Sequence, residues 1–252
     1  MSDDVQLAVT EWGDGPTVVL VHGGTPEGGA VAFRAQRPLE ARWHLILPDR
    51  PGHGGTPRLG REDFARDASL VAPLLGAAAH LVGHSYGGMV ALCLALQRPE
   101  AVRSLTLIEP PAYSLAPDDP AVVEMQRANR ALFEHPPADH AELVGSFFRL
   151  VGIDVPVGAL PPPALDRLAS DLADMRSPHE AVIDPEELAT GGYPILVLTS
   201  GRTPAFEAIA GTIAERAGAT HTVVPGTGHA VQDAGEPVNE LLEELWSRAG
   251  VE

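Results

Sequence analysis

The chain has 252 residues, 44% of them hydrophobic, enough for one sizeable domain with a full core or for a domain carrying an inserted lid. Seventeen basic against thirty-four acidic residues leave a formal net charge of −17, a balance that argues against a nucleic-acid partner and disfavours anionic membrane surfaces. No apolar run approaches the ~18–20 residues of a membrane span. The acidic start MSDDVQLAVTEWG lacks a signal pattern, and the lone Cys93 reads as a small buried hydrophobe, so a reducing cytoplasm is the expected location.

Val5, Leu7 and Val9 alternate with polar or small residues as in a half-exposed edge strand. After the turn Gly13-Asp14-Gly15-Pro16, the continuous apolar run 17–21 (TVVLV) suits a central parallel strand. It ends in the loop His22-Gly23-Gly24-Thr25-Pro26. A weak helical stretch over 30–41 leads to a third strand over 43–47 and a second glycine loop, Asp49-Arg50-Pro51-Gly52-His53-Gly54. Residues 64–75 are helical in character. A short apolar strand, 80–83, then runs into Gly83-His84-Ser85-Tyr86-Gly87 and a long apolar helix that Pro99 ends. The next strand, 102–108, stops at Glu109-Pro110-Pro111. Alternating strands and helices of this kind indicate a parallel α/β sheet with helices on both faces.

Between 112 and 192 the alternation stops. Helical segments over about 120–134, 138–151 and 163–175, with a shorter one near 185, follow one another between proline-rich breaks. They read as a helical cap inserted into a core made of 1–111 and 193–252. Met125, Leu132, Phe147, Phe148 and Met175 are candidates to line a cavity beneath it. The sheet resumes over 194–199, a helix runs to Arg216, and 219–224 forms the last strand, with the exit loop Pro225-Gly226-Thr227-Gly228-His229. In the terminal helix Val238, Leu241, Leu242 and Leu245 share one face, expected against the sheet.

The stretch 83–87 fits G-x-S-x-G between an apolar strand and an apolar helix, the setting of a nucleophile elbow. A serine pointing out of so tight a reversal needs strained backbone dihedrals and small neighbours two residues away. The helix that opens after it aims N–H groups and a positive dipole end at the reacting centre.

Taken with His22-Gly23-Gly24, the loop 49–54 and Gly228-His229, this order of motifs resembles the α/β-hydrolase family over nearly the whole chain. The resemblance implies a mostly parallel sheet flanked by helices with an inserted helical cap. It makes Ser85 the nucleophile and His229 the base, since His229 follows the last strand on a loop at the same sheet edge. The family's usual acid position, 200–205, holds no Asp or Glu; Glu207 comes next but within a helix. Glu109, ending the strand after the elbow helix, is the expected acid of a Ser-His-Glu triad. Backbone N–H groups of Tyr86 and Gly24 are the expected oxyanion hole, while His84, His22 and His53 receive no proton-transfer role.

No HExxH, CxxC or His/Cys cluster suggests a metal and no GxGxxG follows a strand, so neither metal nor cofactor is expected. The expected activity is a serine hydrolase cleaving an ester, lactone or thioester of an apolar small molecule through an acyl-enzyme. A lyase, a cofactor-free oxygenase or a C–C bond hydrolase could use the same residues, and a non-catalytic ligand-binding protein is a further alternative.

Overall fold

The computed structural model describes residues 6–250. Among the described residues seven strands form one sheet in the order β1-β3-β2-β4-β5-β6-β7: β1 Val9–Trp12, β2 Thr17–Val21, β3 His44–Pro48, β4 Ala79–His84, β5 Val102–Ile108, β6 Ile195–Thr199 and β7 Thr220–Val223. Only β1 runs antiparallel, pairing with β3; every other pair is parallel. The central strands β2, β4, β5 and β6 are buried almost throughout, which is why they read as unbroken apolar runs.

An apolar layer covers each face of the sheet. The larger holds the elbow helix Tyr86–Gln97 and the helix Phe64–Val71 and continues into the residues between β5 and β6. The smaller gathers Phe33, Leu39 and Trp43 with Val238, Leu242 and Trp246 of the helix Glu236–Arg248. Cys93 is partly buried against the larger layer.

The insertion between β5 and β6 contains the helices Pro120–Glu134, His140–Val151, Pro162–Asp174 and Pro185–Ala189. Asp119, Asp139 and Asp184 each cap the helix that follows by accepting backbone N–H bonds, and Gly152 ends the second in a left-handed conformation. Backbone hydrogen bonds also join this segment to Glu62. The N–H of Glu62 donates to the carbonyl of Asp174 (2.8 Å), and the N–H of Arg176 donates back to the carbonyl of Glu62 (2.9 Å). Arg58 pairs with Asp171 and Asp174, and Arg176 with Asp63, along the same seam.

Several expectations shift. Val5 lies outside the described residues, and β1 begins only at Val9, whose side chain is 37% exposed. The inward phase belongs to Thr10 and Trp12; Trp12 packs on the smaller apolar layer, with the Arg37 guanidinium over its ring. An edge strand covered by one aromatic takes its phase from that contact. Residues 30–41 form a single α-turn, Gly29–Ala32, and a 3₁₀ stretch, Arg34–Ala41, because Pro38 withholds an N–H inside it. In the terminal helix the buried face is Val238, Asn239, Leu242 and Trp246, with Leu241 and Leu245 at its margin. Trp246 is drawn in by the edge of Trp43, ring centroids 5.0 Å apart.

Candidate active site

Ser85 sits between β4 and the elbow helix at φ 53°, ψ −123°, a conformation that side chains rarely adopt. The turn is possible because its flanks lack side chains. A Cβ on Gly83 would stand 2.4 Å from the carbonyl oxygen of Gly87, and one on Gly87 would stand 2.2 Å from that of Val21. Strain is thus held locally by close backbone packing.

The Ser85 hydroxyl lies 2.8 Å from Nε2 of His229, and Nδ1 of His229 lies 2.6 Å from Oε2 of Glu109. Three residues from the elbow, the end of β5 and the loop after β7 therefore meet at the carboxyl edge of the sheet. Glu109 turns back at φ 44° and is fully buried. Its second oxygen accepts from the N–H of Ser200 (2.8 Å) and from the Ser200 hydroxyl (2.6 Å). A carboxylate removed from water is tolerated there because its lone pairs are occupied. Glu207 goes elsewhere: it accepts from the N–H of Gly201 (3.1 Å) and lies 3.5 Å from His221.

Two contacts on His229 have no signature in the sequence. The Phe206 ring stacks on the imidazole, with centroids 5.2 Å apart and planes 19° from parallel. Nε2 of His84 donates to the carbonyl of His229 (3.0 Å), while Nδ1 of His84 accepts from the side-chain amide of Gln232 (3.2 Å). Burial, reinforced by the neighbouring His229, holds His84 down to a pKa of about 3, so it stays neutral. The residue before Ser85 thus ties the elbow to the loop that carries His229. Only its place in the motif marked it; its partners lie about 145 residues downstream.

On the other side of Ser85, the loop after β2 comes so close that a Cβ on Gly23 would meet that of Ser85 at 2.9 Å. A Cβ on Gly24 would meet nothing within 4 Å, so the close packing against the elbow belongs to Gly23 and the space at Gly24 is open. Gly24 and Tyr86 both line the cavity above Ser85. His22 is buried, with Nδ1 2.8 Å from the carbonyl of Gly23 and Nε2 accepting from the N–H of Arg50 (3.0 Å). His53 is buried beside it, its pKa brought down to about 3 by burial and by Arg50.

The cavity has a volume of about 610 Å³, within the range of small-molecule sites, and opens onto Ser85 and His229. The segment between β5 and β6 supplies much of its apolar wall, through Phe147, Phe148, Val151, Leu172 and Met175. Met125 is instead buried in the core, and Leu132 borders a separate small cleft with Phe133 and Leu143. Among the described residues no group of three or more His, Cys, Asp or Glu is arranged to hold a metal, and no helix is long and apolar enough to cross a membrane.

Comparison with known proteins adds three findings. Residues 18–241 match the family described as "Alpha/beta hydrolase family". A pimeloyl-[acyl-carrier protein] methyl ester esterase of Chromobacterium violaceum is 39% identical over 104 residues, 41% of this chain and 41% of that protein. Its counterpart in Aeromonas hydrophila is matched over 46% of its length, so the chain spans less than half of these curated relatives. Among solved structures, a thermophilic esterase from Thermogutta terrifontis superposes with a TM-score of 0.67 at 25% identity, covering 96% of this chain and 93% of that one.

Proposed function

The chain belongs to the alpha/beta hydrolase family, and from that premise we propose that it is a serine hydrolase acting on an ester of an apolar small molecule. The observation that carries this reading is the imidazole of His229, 2.8 Å from the Ser85 hydroxyl and 2.6 Å from the buried Glu109, at the floor of an apolar cavity. Ser85 attacks the substrate carbonyl as His229 Nε2 takes its proton. Glu109 accepts the Nδ1 hydrogen bond, fixing the tautomer and stabilising the imidazolium. The N–H groups of Gly24 and Tyr86 receive the negative oxygen of the tetrahedral intermediate. Its collapse releases the alcohol, protonated by His229, and leaves an acyl group on Ser85; water, deprotonated by the same imidazole, then frees the acid.

In this reading residues 112–192 are a cap that excludes water and presents Phe147, Phe148 and Met175 to the apolar part of the substrate. Neither metal nor cofactor takes part, and the cytoplasm is the proposed location. The esterase names of relatives in Chromobacterium and Thermogutta support ester cleavage over the lyase or oxygenase use of the same residues. A fluorophosphonate probe and p-nitrophenyl acyl esters test the proposal together. Ser85 takes the label and the esters turn over, while Ser85→Ala loses both, with kcat down by about 10⁴-fold or more. Labelling without ester turnover defeats the hydrolase reading, and turnover surviving in Ser85→Ala defeats the assignment of the nucleophile.

A further inference from the structure

Beneath the loop His22–Gly24 lies a buried charge that the proposed reaction does not use. Arg50 is fully buried, and all five of its guanidinium N–H donors are engaged. Nε donates to the carbonyl of His22 (3.0 Å). Nη2 donates to the carbonyl of Gly23 (2.9 Å) and to Glu62 (3.2 Å), and Nη1 donates to Glu62 (3.2 Å) and to Asp67 (3.1 Å). The guanidinium also lies over the ring of Tyr86, 4.7 Å from its centroid. Burial opposes the charge, but Glu62 and Asp67 raise the pKa above the usual arginine value, so Arg50 stays cationic.

We propose that Arg50 is the positioning residue of the oxyanion pocket, holding the Gly23 carbonyl so that the N–H of Gly24 stays turned toward the space above Ser85. The inference rests on the reading of Gly24 and Tyr86 as the oxyanion donors. Its physical basis is the peptide plane. The carbonyl of Gly23 and the N–H of Gly24 belong to one rigid trans unit and point in opposite directions, so fixing one aims the other. The carbonyl is held from two sides, by Arg50 Nη2 and by Nδ1 of His22, whose Nε2 accepts from the Arg50 backbone N–H and so leaves the proton on Nδ1. Glycine at 23 would otherwise let this plane rotate, since no side chain restrains it. Contact with the Tyr86 ring brings the residue carrying the second donor against the same guanidinium. Lysine could keep the charge but not hold two carbonyls and two carboxylates at once, because its donors radiate from one atom.

The test is Arg50→Lys, assayed with paired oxo and thiono esters beside the unchanged protein. Sulfur accepts oxyanion hydrogen bonds poorly, so the preference for the oxo ester reports on that pocket. A kcat lowered about 10–100-fold on the oxo ester is expected, the scale of a displaced rather than deleted donor. KM should change little, and the oxo-over-thiono preference should shrink by a similar factor. Should Arg50→Lys not fold, Glu62→Gln carries the same test, since it loosens the guanidinium while keeping it; the preference should then fall about two- to five-fold. A variant that folds, loses kcat equally on both esters and keeps the wild-type preference overturns the inference and makes Arg50 merely structural. Failure of the parent reading looks different: the unchanged protein would itself show no oxo preference, or turnover independent of Ser85.

Discussion

On one flank of Ser85 the imidazole of His229 is held by a hydrogen bond to Glu109 and by one that its own backbone carbonyl accepts. Glu109 is fixed by Ser200, and His84 and Gln232 tether the loop of His229. On the other flank the backbone is held by a buried cation between two buried carboxylates, Arg50 with Glu62 and Asp67. The first flank joins three loops that the sheet already brings to one edge. The second joins two loops through a charge that would be costly to bury without both carboxylates and two carbonyls to receive it. The groups that would move a proton can thus be set by short local contacts. A peptide plane, which carries no side chain to grip, is held from beneath by a charged clamp.

The sharpest way to break this contrast is at the acid. Glu109→Gln should lower kcat by about 10²–10⁴-fold, since an amide can present the wrong partner to Nδ1 of His229. Glu207→Gln should stay close to wild type, because Glu207 contacts Gly201 and His221 rather than His229. Steady-state kinetics on one chromogenic ester compares the two, and near-normal turnover by Glu109→Gln would remove the acid from the proposed triad.

A smaller effect sharpens the contrast. His84→Ala leaves the carbonyl of His229 without its donor and should cost about tenfold in kcat while Ser85 still takes a fluorophosphonate label. Unchanged kcat would show that the loop after β7 holds its own shape.

A third effect treats both flanks alike and appears in stability. His84 on one side and His53 on the other are held near a pKa of about 3, chiefly by burial, against an ordinary value of 6.5. Between these values the unfolded chain binds protons that the folded one refuses, so stability is full above pH 6.5 and falls as pH drops toward 3. Each such histidine contributes a slope of up to about 1.4 kcal/mol per pH unit. Urea unfolding at pH 7 and at pH 4.5 checks this, and a flat profile would contradict it.

Much of the fold was legible because the strands are buried on both faces. The runs at 17–21 and 102–108 coincide with β2 and β5, and Pro120, behind the capping Asp119, marks a helix start directly. Ser85, His229 and Glu109 were singled out through the family resemblance, and each ends or follows a parallel strand at the sheet's carboxyl edge, where the structure brings them into contact. Arg50 was not, although its loop was plain. Its partners lie 12, 17, 27 and 28 residues away along the chain, at no helical or strand period, and its role appears only through the plane of a peptide bond. The choice among Met125, Leu132, Phe147, Phe148 and Met175 was closed for a related reason. Helical spacing says which residues share a face, but not whether that face meets another helix or empty space.

The short stitch between Glu62 and the pair Asp174 and Arg176 ties the residues between β5 and β6 by their backbone, while the helices Pro120–Glu134 and Pro185–Ala189 pack on the helix Pro204–Ala217. Main-chain bonds of this kind do not depend on the side chains around them, so the tie tolerates substitution on either strand of the stitch. Asp154 and Arg202, which both line the cavity and stand 3.6 Å apart, add an exposed ionic tie between that segment and the loop after β6.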